Sequence, residues 1–591
     1  MIIEDLFIIF TMLVIASMMY GFVPGIVASL TGITLGISEL IYTTSNNYLF
    51  STSHLSAIFI ILVSVTYLIT DLYMIRSKKT EYITFFLSFL SVIWIISAGN
   101  AIEFLIFWEL MSLSGFFMIM EDNDTRNGYI YLSFSELSII SLTIGFVLNY
   151  SYTGSLMLNL FMPLPLFFIF TGLLIKLGIF PYILSEWAPR SYSAVTADRS
   201  SILAASMAAP SIYFMLYSSV HIQSMNVLLP LYLLTAAAIS AVIASIYSAV
   251  SGNVKKVLGF SSIENNSLIV IAIALFMLFY LYNMKYISFI AFTAAIFLSI
   301  SSIFSKSSMF LSTGYIQDKE HIILPAMSLM SLPIFAGYIG EFMLFETVFQ
   351  AIFIKNQIIF IIVSLTGASI AICAGFSIII YAKLYRFMTV MKGYESDKSK
   401  TSINYTVIYG VILLLVGLLS PFITVYIEQS VFPYGSVLPY AVTTILSTPF
   451  VILTGTPFGG ISPLYEMLFL VIFFTTSIIA FNGFKMNTRV TETWNFGSEN
   501  STYTAEGYTN ALTLMLESLF RTNERYTNID NRLVYVSEIS NPFWNFFILV
   551  GINYRKLSKW MSRNIMNGDT NLYISYILII FVAGLILSYL L

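Results

Sequence analysis

Residues 163–184 of the 591-residue chain read PLPLFFIFTGLLIKLGIFPYIL, an apolar stretch that carries a single charge, at Lys176. A helix that crosses the hydrocarbon core of a bilayer needs about 20 mostly apolar residues, so this stretch is long enough to span a membrane. The rest of the chain has the same character, since 58% of its residues are hydrophobic and only 10% are charged. The composition predicts a polytopic membrane protein and excludes a large soluble catalytic domain.

Similar apolar runs recur along the chain and predict an all-α membrane protein with about sixteen transmembrane helices. The predicted spans, numbered one to sixteen, are residues 1–19, 22–43, 55–75, 83–99, 101–120, 128–150, 163–184, 201–219, 227–248, 262–282, 286–314, 322–350, 357–382, 405–427, 461–482 and 571–591. Short loops join most of them. A multi-pass protein of the cell membrane is therefore expected.

The basic residues of the loops test the number of spans, because cytoplasmic loops collect Lys and Arg. Before residue 480, Lys285 and Lys355 are the loop residues of this kind that follow even-numbered spans. The others follow odd-numbered spans: Arg76, Lys78, Lys79, Arg126, Arg190, Arg199, Lys255, Lys256, Lys319, Lys383, Arg386, Lys392, Lys398 and Lys400. A miscounted span would disrupt this pattern, so the pattern supports the number of spans. Because the loops that follow odd-numbered spans collect the basic residues, these loops are predicted in the cytoplasm and both termini outside.

One long segment, residues 483–570, separates the last two predicted spans and carries nine basic and eight acidic residues. Its later part interleaves aromatic and aliphatic residues with Arg555, Lys556, Lys559 and Arg563. A helix with one apolar and one basic side is predicted, which lies in the membrane interface or along the helices of a partner. An ordinary amphipathic connector is the alternative.

Charged residues inside the spans are the candidate functional residues, because a charge at the centre of a lone transmembrane helix costs about 2.5–3.5 kcal/mol on insertion scales. These residues are Glu103, Glu109, Glu136, Lys176, Glu264, Lys306, Glu341 and Glu346. Glu39, Asp71 and Glu466 lie near the ends of their runs, where a solvated position is expected. Acids and amines spread over several helices indicate a chain of titratable groups.

Lys176 is the expected partner of Glu109, whose nearest polar neighbours in the sequence are serines. A carboxylate in such surroundings either becomes neutral or pairs with a cation from another helix. Gly178 and Pro181 are expected to interrupt the helix just after this lysine. The carbonyl of Leu177 then needs a donor from water or a side chain. A desolvated lysine can exchange protons near neutral pH; the alternative is a buried ion pair that only fixes packing.

Span twelve repeats this arrangement, since Pro333 and two glycines come shortly before Glu341. Interrupted helices at corresponding positions of two halves mark the binding site or ion pathway of transporters built from inverted repeats. Two inverted five-helix repeats are therefore predicted, spans four to eight and nine to thirteen. Lys306 and Glu264 fall between the two interrupted helices. Glu264 is expected either to act as a relay there or to lie at the cytoplasmic surface beside nearby lysines.

The rarity of cysteine and histidine limits the other chemistries open to the chain. The single cysteine, Cys373, excludes an internal disulfide and any iron–sulfur cluster or thiolate zinc site held by this chain alone. The three histidines, His54, His221 and His321, are isolated and are expected to bind no metal. No basic patch indicates nucleic acid. No metal or cofactor is therefore predicted.

Four motifs, in this order, resemble a known family. They are FWELMS at 107–112, KLGIFP at 176–181, KKVLGFSSIEN at 255–265 and PIFAGYIGEF at 333–342. Together they resemble the antiporter-like subunits of respiratory complex I, of Mrp-type antiporters and of membrane-bound hydrogenases. The tail, with ETWNFG at 492–497, is most similar to the large membrane subunit of formate hydrogenlyase and related group 4 hydrogenases.

The resemblance implies fourteen core spans with two interrupted helices and a C-terminal extension that can include a lateral helix. It implies that Glu109 and Lys176 form the coupling pair. Lys306 would then be the central relay and Glu341 the terminal group toward the outside. Glu136 and Glu264 are the further candidates for proton translocation: the site consists of Glu109, Lys176, Lys306, Glu341, Glu136 and Glu264.

Span eight departs from the family pattern, because relatives usually carry a lysine or histidine about where Leu203 or Ala209 stands. The continuity of a proton path through this span is therefore open. Ser206, internal water and Glu136 are the candidate substitutes. The predicted segments are N-terminal helices at 1–82, a first repeat at 83–219, a second repeat at 227–386, C-terminal helices at 405–482, the amphipathic segment at 483–570 and a last span at 571–591.

The predicted function is that of a proton-translocating, redox-inactive membrane subunit of a complex I-like or group 4 hydrogenase-type oxidoreductase. Its expected partners are other membrane subunits and peripheral redox subunits, and the transported ion is a proton or Na⁺. Two alternatives stay open. One is an Mrp-like antiporter that exchanges Na⁺ or K⁺ for H⁺, and the other is an ion-coupled subunit of an inorganic-carbon uptake system.

Overall fold

The computed structural model describes most of the chain, and the described part is largely helical. The described residues are 2–42, 51–74, 79–122, 124–179, 186–314, 322–390, 405–432, 452–453, 460–483, 522–529, 532–539 and 542–564. The chain divides into two compact units, Met1–Thr513 and Leu514–Leu591.

The larger unit consists of helices that follow the apolar runs of the sequence. They are α1 (Ile2–Tyr20), α2 (Phe22–Ile41), α3 (His54–Tyr73), α4 (Lys79–Ile96), α5 (Ala101–Glu121), α6 (Thr125–Thr153), α7 (Pro163–Leu177), α8 (Trp187–Ser193), α9 (Ala197–Val220), α10 (Leu228–Val250), α11 (Val254–Leu281), α12 (Lys285–Ser312), α13 (Ile323–Leu329), α14 (Ala336–Phe349), α15 (Gln357–Val390), α16 (Tyr405–Leu418), α17 (Ser420–Tyr426) and α18 (Pro463–Gly483). A short antiparallel pair, β1 (Ile452–Leu453) and β2 (Gly460–Ile461), precedes α18.

Eleven helices of the described residues are long and apolar enough to cross a membrane. The count rises to twelve if α16 and α17, which are bent by 70° relative to each other, form one span. Each run predicted before residue 483 coincides with a helix or with two helices separated by a short break. The helical polytopic fold is thus confirmed. The predicted last span, 571–591, lies outside the described residues, and the division into segments stays a prediction.

Helices α9, α11 and α12 form the centre of the larger unit. The most apolar windows of α9 and α12 are completely buried, and that of α11 is 94% buried. α12 packs against α11 and α14, and α11 packs against α10. By contrast, only 6% of the apolar window of α18 is buried. An exposed apolar helix of this kind lies against lipid or a neighbouring protein.

The first interrupted helix is α7, which ends where its sequence predicts an interruption. Gly178 follows its last residue in a left-handed conformation, with φ +76°. The amide of Gly178 donates to the carbonyl of Ile175 at 3.1 Å, and the next amide donates to that of Leu174 at 3.0 Å. This is the Schellman pattern of a helix end, and glycine adopts it without steric cost. Pro181, the other predicted breaker, lies outside the described residues.

The carbonyls freed at the end of α7 are satisfied by side chains from other helices. Trp187 Nε1, on α8, donates to the carbonyl of Ile175 at 3.1 Å. Asn266 Nδ2, on α11, donates to the carbonyl of Leu177 at 3.4 Å. The predicted need for a donor at Leu177 is therefore confirmed, and the break joins α7 to the central helices.

The second interruption separates α13 from α14. Ser331 takes the left-handed position here, with φ +51°. Its amide donates to the carbonyl of Ser328 at 3.2 Å, and the following amide donates to that of Met327 at 3.0 Å. The two breaks thus share one hydrogen-bond pattern, although a serine stands where the first break has glycine. Ile334, with φ +81°, is a second residue in a disfavoured conformation before α14 begins.

The smaller unit contains a β-hairpin in addition to the predicted helix. Strands β3 (Thr522–Ile529) and β4 (Arg532–Ile539) pair antiparallel. A sequence signal for them exists, because VYV at 534–536 consists of strand-forming residues. The amphipathic helix α19 (Pro542–Asn564) follows, and it contains the apolar and basic residues that predict such a helix. Its placement at a membrane interface or against a partner stays a prediction.

The orientation predicted from the loop charges can be tested by cysteine accessibility. Replacing the buried Cys373 by serine removes the native thiol. Ser224 and Gly252 are exposed and lie beyond opposite ends of α10. A membrane-impermeant maleimide added to intact cells is expected to label Ser224→Cys and not Gly252→Cys, because the basic loop after α10 is predicted to be cytoplasmic. The reverse labelling pattern would contradict this orientation.

Candidate functional site

Lys176 lies in the last turn of α7 and is buried, with 4% of its surface exposed. Its ammonium group donates to three hydroxyl groups, those of Tyr131 (2.9 Å), Ser135 (3.1 Å) and Ser112 (3.3 Å). The same nitrogen lies 4.6 Å from the centre of the Tyr131 ring. The three donor positions of the ammonium group are thus used by neutral oxygens from α5 and α6.

Glu109 and Glu136 lie at the edge of this site, where both are half-buried. Their carboxyl groups interact with each other, and both interact electrostatically with Lys176. Among the described residues, Lys176 takes part in no ion pair. The structure therefore brings the predicted pair together without a direct contact between charges. Glu136, a candidate substitute in span eight, belongs to the Lys176 end of the site.

Lys306, on α12, has an environment of the same kind and is completely buried. Its ammonium group donates to the hydroxyl groups of Ser261 (2.5 Å) and Tyr381 (2.8 Å). The nitrogen lies 5.2 Å from the centre of the Tyr381 ring. A tyrosine hydroxyl and ring, together with serine hydroxyls, therefore hold both lysines. In both cases the tyrosine comes from another helix, α6 for Lys176 and α15 for Lys306.

Glu264, on α11, is 1% exposed and interacts electrostatically with both Lys306 and Glu341. Of the two positions predicted for Glu264, the cytoplasmic surface is therefore wrong, because α11 lies at the centre of the unit and neighbouring helices cover the side chain. Its Oε2 atom has no hydrogen-bond partner among the described residues. The acid therefore lies within electrostatic reach of both groups.

Glu341, on α14, borders a small polar cavity beside the second helix break. The cavity measures about 10 Å³, which is the lower limit for one water molecule. Its polar lining consists of Asn265, Ser301, Ser302, Ser328, Ser331 and Glu341. The hydroxyl groups of Ser301 and Ser328 are 2.9 Å apart. The interruption of span twelve therefore places polar groups around the acid at this point.

Helix α9 lies between the two lysine sites and carries no lysine or histidine in its middle. This part is a turn of π-helix, Ile202–Ser206, whose residues are all buried. Met207 lies beside the first site, with its Sδ atom 3.8 Å from the hydroxyl of Tyr131. Ser201 lies beside the second site, with its hydroxyl 2.7 Å from that of Ser307. Turns of this type often occur at functional sites.

A chain of buried hydroxyl groups surrounds the π-helical turn. The hydroxyl of Ser307 bonds to that of Ser201 at 2.7 Å and to that of Tyr409 at 2.8 Å. The Tyr409 hydroxyl also lies 3.5 Å from the carbonyl of Thr66. The hydroxyl of Thr66 bonds to that of Ser206 at 2.6 Å. Neutral hydroxyl groups from α3, α9, α12 and α16 therefore occupy the region where the resemblance implies a titratable residue.

Two further acids of the spans have local partners. Glu103 accepts from the amide of Gly99 at 3.2 Å, and its own amide donates to Asn100 at 2.9 Å. These bonds cap the beginning of α5. Glu346 accepts from the side chain of Gln350, one turn later, at 3.2 Å. Both acids therefore have a structural explanation of their own.

Glu39 and Asp71 are buried, with 2% and 0% of their surfaces exposed, so the expectation of solvated positions is wrong for them. Both lie near helix ends in the sequence, but α2 and α3 pack against each other and neighbouring helices cover these ends. Glu466 is half-buried and accepts from the hydroxyl of Tyr338 at 3.3 Å.

Comparison with known proteins gives a family match. Residues 98–371 match the family described as NADH:quinone oxidoreductase/Mrp antiporter, transmembrane. This range contains the two buried lysines and the acids that interact with them. The chain is homologous to the antiporter-like membrane subunits of this family.

Individual relatives of this antiporter-like chain are distant in sequence. Hydrogenase-4 component B of Escherichia coli strain K12 is 21% identical, and the alignment covers 56% of this chain and 55% of that protein. The chain thus aligns with about half the length of this curated relative. A chain of the membrane-bound sulfane sulfur reductase, an archaeal respiratory membrane complex, has a TM-score of 0.74 at 15% identity, with 98% of this chain and 99% of that chain covered.

A second solved structure with the same fold is a chain of the Mrp complex from Dietzia sp. DQ12-45-1b. Its TM-score is 0.61 at 16% identity, with 90% of this chain and 64% of that chain covered. At such identities the structural similarities show the fold alone.

The hydroxyl partners of the lysines are functional candidates that charge alone does not reveal. Tyr131 and Tyr381 lie far in sequence from the lysines that they hold, and tyrosine is common in this chain, with 38 residues. Ser112 and Ser261 do have a signal, because they lie within the motifs FWELMS and KKVLGFSSIEN. Serines inside family motifs could therefore have been added to the candidate residues.

Tyr381→Phe tests the hydroxyl contact with Lys306. The substitution removes one of the two hydrogen bonds of a completely buried ammonium group, so we expect it to destabilise the folded protein by about 1–3 kcal/mol. A lower unfolding temperature of the purified protein measures this effect. Tyr152→Phe is the control, because Tyr152 is 58% exposed, and it is expected to change stability by less than about 0.5 kcal/mol. Equal unfolding temperatures for both variants would contradict the contact.

Proposed function

We propose that this protein is the proton-translocating, redox-inactive membrane subunit of a multisubunit oxidoreductase of the complex I or group 4 hydrogenase type. The observation that carries the proposal is the series of buried ionisable groups Lys176, Lys306, Glu264 and Glu341. Burying such groups in apolar helices is costly, and intramembrane ionisable residues commonly mark ion pathways. Proton transfer along this series is the function that this placement supports best.

The hydroxyl partners suit lysines that exchange protons. A carboxylate in direct contact would hold the charged form of a lysine, whereas a hydroxyl group can either accept or donate a hydrogen bond. Tyr131 can therefore stay bonded to Lys176 in both protonation states by reversing the direction of its hydrogen bond. Tyr381 can do the same for Lys306. Gain or loss of a proton then leaves the surrounding packing intact.

Glu109 and Glu136 are the groups that control the charge of Lys176 in this proposal. A proton bound by one of two interacting carboxyl groups would relieve the repulsion between their charges. Their electrostatic attraction for Lys176 changes when that proton leaves or returns. Because both acids are only half-buried, a neighbouring subunit can reach them and impose this change. Redox chemistry in the partner would thereby be coupled to the lysine.

The proton then passes from Lys176 beside α9 to Lys306, and on to Glu264 and Glu341. The hydroxyl groups around the π-helical turn, together with internal water where Tyr409 bonds only to the backbone carbonyl of Thr66, take the place of the missing titratable residue in span eight. Ser307 neighbours Lys306 in the sequence, but adjacent helix residues do not face each other, so internal water would join its hydroxyl to the second lysine. The polar cavity beside Glu341 provides room for water at the end of the path.

Partner subunits follow from the same proposal. Homologous chains are subunits of multisubunit membrane complexes, and we infer the same for this chain. The sequence has a single cysteine, which cannot hold an iron–sulfur cluster alone. Peripheral redox subunits would therefore carry out the electron transfer. The exposed apolar surface of α18 is a contact surface for a neighbouring membrane subunit.

An Mrp-like antiporter that exchanges Na⁺ or K⁺ for H⁺ is the second candidate function. The family description names Mrp antiporters, which supports this candidate. The oxidoreductase subunit is preferred because the fold match to the respiratory complex extends over 98% of this chain and 99% of that one. Na⁺ flux driven by a pH gradient through the isolated chain in liposomes would favour the antiporter. No contact of the described residues favours a role in inorganic-carbon uptake.

Lys176→Met tests the proposed function, because methionine keeps an unbranched side chain and removes the charge. In vesicles that contain the intact complex, we expect proton uptake, followed by quenching of a pH-sensitive acridine dye, to fall to background. Electron transfer by the partner subunits is expected to be partly retained. The matched control is Lys355→Met, at an exposed lysine between α14 and α15, and it is expected to pump like the wild type. An unchanged ratio of protons to electrons in Lys176→Met would exclude the assigned role.

Ser307→Ala tests whether the hydroxyl chain carries protons past α9. The substitution removes the hydrogen bonds to Ser201 and Tyr409 and leaves the charge of every residue unchanged. We expect proton uptake to slow by roughly tenfold, as for a barrier raised by about one hydrogen bond. Ser299→Ala is the control on the same helix, since the hydroxyl of Ser299 bonds to the carbonyl of Ala295 at 2.6 Å. Equal rates in the two variants would show that the hydroxyl chain is structural.

A further inference from the structure

The short helix α8 lies between the helices that hold the two buried lysines. It packs against α6, which carries Tyr131, and against α11, which carries Ser261. Five of its seven residues are buried: Trp187, Ala188, Pro189, Ser191 and Tyr192. The proton path proposed above gives this buried helix no part.

Trp187 contacts the first lysine site in two ways. Its indole Nε1 donates to the carbonyl of Ile175, the residue before Lys176, at 3.1 Å. Its ring packs edge-on against the ring of Tyr131, with 5.5 Å between the ring centres. Tyr131 in turn binds the ammonium group of Lys176 at 2.9 Å. One side chain of α8 thus contacts both the backbone that carries the lysine and the tyrosine that binds it.

Pro189, two residues later, contacts the helix of the second lysine site. A β-carbon added at Gly259 would lie 2.6 Å from the Cα atom of Pro189 and 3.1 Å from its Cβ atom. Only glycine allows the backbone of α11 to approach α8 this closely without a shift. Ser261, whose hydroxyl binds the ammonium group of Lys306, is two residues further along α11. A displacement of α8 at this contact therefore reaches the second site.

A second contact joins α8 to α12, which carries Lys306. The ring of Tyr192 packs edge-on against that of Phe310, with 5.9 Å between the ring centres. Phe310 follows Lys306 by about one helical turn. The two helices that form the second site, α11 and α12, are therefore both in contact with α8.

A change in the charge of Lys176 alters the force on the end of α7. Glu109 and Glu136 both interact electrostatically with the charged lysine, and this attraction ends when the lysine is neutral. Trp187 follows the end of α7 because it is hydrogen-bonded there. Close-packed interiors transmit small displacements rather than absorb them. The backbone contact between α8 and α11 then carries the displacement to the second site.

We propose that α8 couples the two lysine sites, and that Trp187 is the positioning residue through which the charge of Lys176 sets the hydrogen-bond geometry at Lys306. This inference rests on the proposed function, in which Lys176 gains and loses a proton. The coupling is reciprocal, because the charge of Lys306 acts on the first site through the same contacts. Each site therefore responds to the state of the other, which orders the transfer between them.

The direct contact of α11 with the end of α7 is the competing route. The side-chain amide of Asn266 donates to the carbonyl of Leu177 at 3.4 Å. This distance exceeds the usual upper value of about 3.2 Å for such hydrogen bonds, whereas the bond of Trp187 lies within the usual range. Helix α8 is therefore the firmer connection between the two sites.

Fluorine NMR of the full chain with fluorotyrosine incorporated at Tyr381 tests the coupling, because the hydroxyl of Tyr381 binds Lys306. Lys176→Met removes the charge at the first site, and we expect this change to shift the fluorine resonance. In the Trp187→Phe background, which keeps an aromatic ring and lacks the N–H donor, we expect the shift caused by Lys176→Met to be lost. A merely structural role of Trp187 would move the resonance itself and leave its response to Lys176→Met in place.

Trp94→Phe is the matched control, because Trp94 lies on α4 and stacks on Phe107, with 4.6 Å between the ring centres. It is expected to leave the response unchanged. If Trp187→Phe fails to fold, Pro189→Gly takes its place, since it removes the β-carbon and ring that lie against Gly259. The response is expected to be lost in that variant as well.

Two results would overturn the coupling through α8. One is a fluorine resonance that Lys176→Met does not shift. The other is a shift of wild-type size in the Trp187→Phe background, which would assign the effect to the electrostatic field or, if Asn266→Ala removes it, to the direct contact with α7. Proton uptake by the intact complex tests the proposed function in a separate measurement. The failure of either inference can therefore be distinguished from the failure of the other.

Discussion

The burial of two lysine ammonium groups against hydroxyl groups is the constraint on which the larger unit depends. Each ammonium group needs oxygen acceptors, and here they come from helices other than its own. The end of α7 must therefore lie against α5 and α6, and α12 must lie against α11 and α15. The two interrupted helices meet a related requirement, because carbonyls that lose their helical donors need donors from elsewhere. At the first break Trp187 and Asn266 supply them, which ties α7 to the central helices.

A buried lysine needs hydrogen-bond acceptors and is influenced by nearby carboxyl groups, and a direct ion pair provides both at once. At the described lysine sites, which lack direct ion pairs, different residues provide them. A carboxylate in contact would satisfy a buried lysine with few neighbours, but breaking such a pair costs several kcal/mol, roughly 3–5. Hydroxyl groups supply hydrogen-bond acceptors to the lysine without opposing a change in its charge. The acids Glu109, Glu136 and Glu264 act from a greater distance, through the electrostatic field. Hydrogen bonds and electrostatic interactions with the lysines thus come from different residues.

The sequence predicts the helices well because hydropathy is a local property, and each run before residue 483 has a helix or an interrupted pair. It also predicts the buried lysines and acids, since a charge within an apolar run is read directly. The hydroxyl partners of the lysines cannot be predicted in this way, because Tyr381 lies 75 residues from Lys306 and only packing brings them together. The burial of Glu39 and Asp71 cannot be predicted either, for a similar reason. Their positions near helix ends predict solvent, but the helices that cover those ends are set by tertiary structure.

The two helix breaks differ in the energy that they store. Gly178 adopts its left-handed conformation freely, whereas Ser331 and Ile334 occupy disfavoured conformations that cost about 1–3 kcal/mol each. A rotation of α14 that relieves this strain would move Glu341 relative to Glu264 and the adjoining cavity. The end of α7 has no comparable source of energy. The break beside Glu341 therefore stores conformational strain that the break beside Lys176 lacks, and release of this strain would favour movement of α14.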